Sequence, residues 1–335
     1  MNFNTIRKCI DALNKTAPFE IKIVQSKEGD NELLYSLKEE HTIIIGENVE
    51  VLFYLYCYAP KANFRNYLCQ SIYARHSMYE KAFNVLRDLC KNQSLITTAL
   101  TKIKHLTNNK LLCYMTLISI FHEIGHIVFF ADDAVKNSYF GDVYNRLESL
   151  GISDYANKKH DFLSYQIQLG YNMASNNIMN TTEEIACDCY AIDVIFKLKT
   201  ICNFSTKQVL NYCLAYMELL TCTYQVEFLN RTSHNDHDGV FEEILAKFSF
   251  RRMIAFDRMR EILSNEYNID DNIFDKLCIK IAPSVTDINE LKLIAEHMYA
   301  NISQRNWRIK DKYEREYIHC LEKFNANYTT QYCQF

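Results

Sequence analysis

The sequence predicts an α+β protein that is mostly α, with a small N-terminal antiparallel sheet and a large helical body. Three observations predict it. The 335 residues include only 7 Gly and 3 Pro, where average usage would give roughly 23 and 17. Turn-dense all-β and linker-rich architectures need more breakers and more positive-φ positions than that. Strand-like patterns are confined to the stretch before Glu47, and from there the apolar period becomes helical.

The elements follow in order. Phe19–Val24 alternates apolar and polar residues, the cluster Gly29-Asp30-Asn31 marks a turn, and Leu33–Leu37 and His41–Gly46 supply two more strands. Glu47–Ala59 reads as an apolar helix that Pro60 ends. Lys61–Lys91 and Ser94–Thr107 read as two helices, with breaks at Asn92 and at Asn108-Asn109. Leu111–Ala131 is the most hydrophobic stretch. It is long enough to span a bilayer, but His122, Glu123 and His126 sit in its middle, where ionisable groups are expensive in lipid. It therefore reads as the buried central helix of a soluble protein. Residues 132–180 carry Gly141, Gly151 and Gly170 and read as short helices on long connections. Thr181–Thr200 is helical with Thr181 or Thr182 as cap, and Ser205–Asn230 is a helix capped by Ser205. A polar loop, Arg231–Gly239, precedes helices at Val240–Ser264, Asn272–Ile281 and Asp287–Phe324. The whole chain, 1–335, reads as a single unit. It has an N-terminal part (1–60), a core (61–204, with a probable insertion at 132–180) and a helical C-terminal part (205–335).

Charge and cysteine content narrow the function. The net charge is −4, with both signs interspersed, so the electrostatic footprint of a nucleic-acid binder is missing. The 13 Cys are scattered through apolar stretches without a CxxC. That pattern fits buried thiols in a reducing compartment, and with the polar start Met1–Ile10 it points to a cytoplasmic protein with no membrane partner.

The chemistry lies in His122-Glu123-Ile124-Gly125-His126, an H-E-x-x-H motif. Positions i and i+4 share a helix face, so both imidazoles can reach one metal, and Glu123 can approach the open coordination position without filling it. A water there becomes acidic enough for the carboxylate to take its proton. With 10 His and 23 Glu in the chain, chance gives roughly 0.02 occurrences. The flanking residues are uncharged, so two buried imidazoles and a carboxylate need partners. A core helix with satisfied histidines is the plain alternative. A third ligand is expected for catalytic zinc. Glu184 and Asp188 lie four apart on the next predicted helix. Glu184 can complete the Zn2+ triad, and Asp188 can accept the free N–H of a ligating His. An acidic first turn favoured by the helix dipole would explain Glu183 and Glu184 alone.

H-E-x-x-H followed on a second helix by E-x-x-x-D resembles the gluzincin metallopeptidases. Within them, Glu183-Glu184-Ile-Ala-Cys-Asp188-Cys-Tyr-Ala191 is similar to the E-E-x-x-A-D-x-x-A segment of the Lit-type phage-exclusion peptidases. His41-Thr-Ile-Ile-Ile before an aromatic helix, and Thr232-Ser233-His234 at the place of a Thr-His-Pro element, extend the likeness in separated blocks over about half the chain. The resemblance implies a zincin-like fold. It also implies a cytoplasmic zinc protease whose family role is abortive phage defence, by cleaving a host protein of the translation machinery such as an elongation factor. Departures are Cys187 for the usual Ala, Asn235 for Pro, and a longer stretch between His126 and Glu184.

His234 can hydrogen-bond the developing oxyanion if the helix before it packs on the metal helices; a surface-loop His is the alternative. His237, between Asp236 and Asp238, reads as solvated, and Tyr190 as core or surface. Cys187, three residues after Glu184, is a minor candidate ligand. Asp132 and Asp133 read as the end of the buried helix. Arg251-Arg252 reads either as a solvated pair or as one that touches the site. The expected function is a zinc endopeptidase acting on a specific intracellular protein through His122, Glu123, His126 and Glu184. The edge strand would pair with substrate, and residues 132–180 would cover the cleft. The rivals are a repressor-cleaving regulatory metalloprotease and a non-catalytic zinc-stabilised interaction protein. Oligomeric state is left open.

Overall fold

A computed structural model describes residues 3–15, 19–25, 34–46, 48–103, 109–149, 178–202, 204–232, 237–281, 283–304 and 312–329. Its three strands are β1 (Lys22–Gln25), β2 (Leu34–Leu37) and β3 (Thr42–Ile45). They form one sheet in the order β1-β3-β2. The expected antiparallel sheet is in fact mixed. β2 runs antiparallel to β3, with Leu34 opposite Ile45, while β1 runs parallel to β3, with Ile23 opposite Ile43. The reason lies in β3, the most apolar strand. Ile43 and Ile45 are buried, and a strand this apolar is best placed in the centre with both edges paired. β2 is left as an edge.

Twelve helices make up the rest of the described residues: α1 (Phe3–Asn14), α2 (Val49–Tyr58), α3 (Lys61–Arg75), α4 (Tyr79–Ile103), α5 (Asn109–Ala131), α6 (Asp133–Ser149), α7 (Ile178–Cys202), α8 (Thr206–Thr232), α9 (His237–Tyr267), α10 (Asp271–Ile281), α11 (Val285–Ser303) and α12 (Glu314–Thr329). The mostly helical α+β class thus holds. Pro60 does end α2: Ala59 is extended, as the residue before a proline prefers.

Several boundaries differ from expectation. The first long helix breaks at His76–Met78 and not at Asn92. Ser77 takes a left-handed conformation (φ 51°), and Met78 N–H returns to Tyr73 O at 2.8 Å. A left-handed residue commonly closes a helix, usually glycine; with serine there, no glycine marks the stop. α4 then runs through Asn92 at little helix-propensity cost. The single helix expected over Asp287–Phe324 is two, α11 and α12. α11 starts in a capping box in which the Ser284 hydroxyl accepts from Asp287 N–H and Asp287 accepts from Ser284 N–H.

Asp132 does not merely end α5. Its Oδ1 accepts from the N–H groups of Ala134 and Val135 at 2.9 and 3.1 Å, so it caps α6. Residues 133–149 are therefore one helix and not irregular. The remainder of the expected insertion, 150–177 with Gly151 and Gly170, lies outside the described residues, and with it most of the proposed cover. α7 starts at Ile178, three residues before the expected cap, which places Thr182 inside the helix and buries it.

α5 sits at the centre, against α2, α6, α7, α8 and β2. Its 111–131 stretch is long and apolar enough to cross a membrane, yet 67% of its most apolar window is buried by the surrounding elements. Burial of that kind accounts for the hydropathy through packing. The buried apolar cluster it belongs to extends from Cys9 in α1 to Phe324 in α12.

Candidate metal centre

α5 and α7 carry the site, and Gly125 lets them meet. A Cβ placed on Gly125 would lie 3.2 Å from the Cα, Cβ and Sγ of Cys187. That is tighter than ordinary van der Waals contact, so only glycine lets the helices approach this closely without displacement. Cys187 is thus a packing residue at this contact: it is fully buried, and burial pushes its thiol well up.

The close approach faces His122 and His126 with one turn of α7. His122 Nδ1–H donates to Asp188 Oδ1 at 2.8 Å, and His126 Nδ1–H donates to Glu183 Oε1 at 2.8 Å. Both rings are thereby held with Nε2 free to point elsewhere, and both Nε2 atoms point at Glu184. The separations are 3.5 Å from His122 to Oε2 and 3.6 Å from His126 to Oε1. Two ligands sharing a tetrahedral ion at about 2.1 Å stand about 3.4 Å apart, so each histidine stands from Glu184 at about the distance two ligands of one ion have. Glu123 joins them, with one oxygen within 4.8 Å of ligand atoms on both histidines. Glu184 spans both imidazoles.

Electrostatics favour a cation at this point. Glu123, Glu183, Glu184 and Asp188 are four carboxylates. The cations in contact with them are Lys38, 2.7 Å from Glu183, and Arg251, bonded to Asp188 and 3.2 Å from Glu184. Burial alone would lower the His122 pKa, but the bonds to Asp188 and Glu184 raise it to about 10. Burial also pushes against ionisation of Asp188, yet Arg251 and His122 hold its carboxyl down at about 2. Burial dominates at Glu123 and raises its pKa above the usual carboxylate range, against the two histidines.

Arg251 of α9 is not a solvated residue; it is mostly buried and reaches into the site, while Arg252 donates to Cys278 O at 2.9 Å. Glu183 is not a first-turn charge either, because α7 begins five residues before it and it is engaged by His126 and Lys38. The Glu-Glu doublet was the only local signal. Tyr190 packs its ring on Phe129 and Tyr139. His234 lies outside the described residues, as does the side chain of His237, which opens α9.

A cleft of about 1000 Å³ opens over the site. Its lining runs from His122, Glu123 and Glu184 along one face of α8, through Leu219 and Thr223, and on the other side includes Leu34 and Tyr35 of the β2 edge. The arrangement can hold a divalent metal and place a carboxylate beside it, and among the described residues the outer edge of β2 pairs with no further strand. The chain matches no family model, no curated protein and no solved structure.

Proposed function

We propose that this protein is a zinc-dependent endopeptidase of zincin-like, gluzincin type, with His122, His126 and Glu184 as metal ligands and Glu123 as the proton carrier. The observation that supports it most is the convergence of both Nε2 atoms on the Glu184 carboxylate while Asp188 and Glu183 hold both Nδ1 atoms. When bound, the zinc supplies a Lewis acid that makes water a nucleophile at neutral pH. Glu123 would take the proton of that water and pass it to the departing amine. Asp188 and Glu183 keep the histidine N–H groups turned away from the metal side. An extended substrate pairs with the free edge of β2 and lies in the cleft beneath α8.

The substrate class rests on the sequence resemblance: a host protein of the translation machinery, cleaved in the cytoplasm in defence against phage. The test is Glu123→Gln in the full chain. Zinc content should stay at one per chain, and the new protein N-termini seen by proteomics after wild-type expression should disappear. Cleavage that persists in the variant, or a wild type that binds no zinc, defeats the proposal.

A further inference from the structure

The β2–β3 hairpin reaches the metal centre where β2 ends: Lys38, the residue after the strand, donates its Nζ to Glu183 Oε1 at 2.7 Å. Through that bond the first residue of the hairpin's turn contacts the carboxylate that orients His126. The sequence distance is 145 residues for the Lys38–Glu183 pair, so only the docking of the sheet on α5 and α7 makes it.

The turn that carries Lys38 is tightly defined. Glu40 N–H returns to Leu37 O at 3.2 Å and His41 N–H to Lys38 O at 3.3 Å, while the Thr42 hydroxyl donates to Glu40 O at 3.0 Å. His41 takes the left-handed conformation (φ 49°) that reverses the chain. Lys38 is thus presented from a fixed point and does not sweep a large volume. As an ion pair it is half exposed, 39% on Lys38 and 22% on Glu183, and such pairs add little stability by themselves. Its effect lies in where it holds the carboxylate. Lys38 Nζ and His126 Nδ1 share the same Oε1, so the Glu183 side chain is fixed by the hairpin on one side and by the histidine on the other.

We propose that Lys38 is a positioning residue that latches the β2–β3 hairpin to His126 through Glu183, so that metal binding and docking of the substrate-facing strand are coupled. The inference rests on the metal-centre reading and deepens it. A metal that fixes His126 fixes Glu183 and, through Lys38, the hairpin. Linkage makes the coupling reciprocal: whatever orders the β2 edge, an extended peptide included, also orders the second histidine.

The experiment is hydrogen–deuterium exchange on the full chain with and without zinc, for wild type, Lys38→Met and Lys38→Arg. In wild type, zinc should slow exchange in α5, in α7 and, by about fivefold or more, in the hairpin 34–45. In Lys38→Met, α5 and α7 should still be protected while the zinc effect on the hairpin is lost, and Lys38→Arg should restore it. Unchanged exchange in α8 and α10 serves as the folding control. If zinc protects the hairpin equally in wild type and Lys38→Met, the latch is overturned while the metal centre stands. If zinc protects nothing in wild type, the metal reading falls and the latch with it.

Discussion

Arg251 closes on Asp188 with two parallel hydrogen bonds, Nε to Oδ2 at 2.7 Å and Nη2 to Oδ1 at 2.8 Å, and its third nitrogen lies 3.2 Å from Glu184 Oε2. One guanidinium therefore braces the proposed third ligand and the carboxylate behind the first. Asp188 is inaccessible to solvent, so the pair is a buried one. Such pairs matter less for what they add than for what is stranded when one partner goes.

Removing that partner gives the first prediction. Arg251→Met should destabilise the fold by about 3–5 kcal/mol, because two buried carboxylates lose their cation. Arg251→Lys should recover only part of it, since an ammonium cannot supply the two-pronged geometry. Urea unfolding checks both, and a loss below about 1 kcal/mol for the Met variant would contradict the bracing role.

Two helical glycines should respond to alanine with opposite signs. At Gly141 in α6, a Cβ meets nothing within 4 Å, so Gly141→Ala should stabilise by about 0.5–1 kcal/mol through helix propensity. At Gly125 the same Cβ presses on the Cys187 backbone. Overpacking of about 1–3 kcal/mol should outweigh the propensity gain there, and zinc affinity should fall as α5 and α7 separate. Paired denaturation curves decide the matter; a stabilised Gly125→Ala would show that the helices can yield.

Metal removal should be felt most between α5 and α7. With zinc withdrawn by a chelator, the cluster of four carboxylates loses its divalent counter-charge, and the melting temperature should drop and return on adding zinc back. His122→Ala should abolish the difference between the two states. A melting temperature indifferent to zinc in wild type would speak against any metal at this place.

Acid should weaken the anchorage of α11. Burial raises the Asp287 carboxyl, but hydrogen bonds from Lys61 and Ser284 outweigh it and hold the group at about 2. Its folded pKa is thus below its unfolded value of about 3.9, so its contribution is present above about pH 4 and lost as pH falls towards 2. Lys61 is exposed, so screening reduces that contribution to about 1 kcal/mol. The stability gap between wild type and Asp287→Asn should therefore close over that window. A gap that stays constant from pH 7 to pH 2.5 would assign the effect to packing alone.

What the sequence determined by itself is local. The H-E-x-x-H spacing placed His122 and His126 on one helix face, and Glu184 and Asp188 four apart placed a carboxylate pair on another, because helical geometry fixes neighbours three and four residues away whatever the rest of the chain does. Strand and helix classes were legible for the same reason, from period 2 and period 3.6. Chain breaks without glycine were not: Ser77 turns the chain with no sequence signature, and β1 lies parallel to β3 because the most apolar strand takes the centre of the sheet. The tertiary structure alone decided which charges meet. Arg251 comes to Asp188 from 63 residues away and Lys38 to Glu183 from 145. Nothing local in the sequence marks such pairs, because their distance is set by how whole helices and the sheet pack. Gly125, where Cys187 fills the space a side chain would need, is where that packing becomes chemistry.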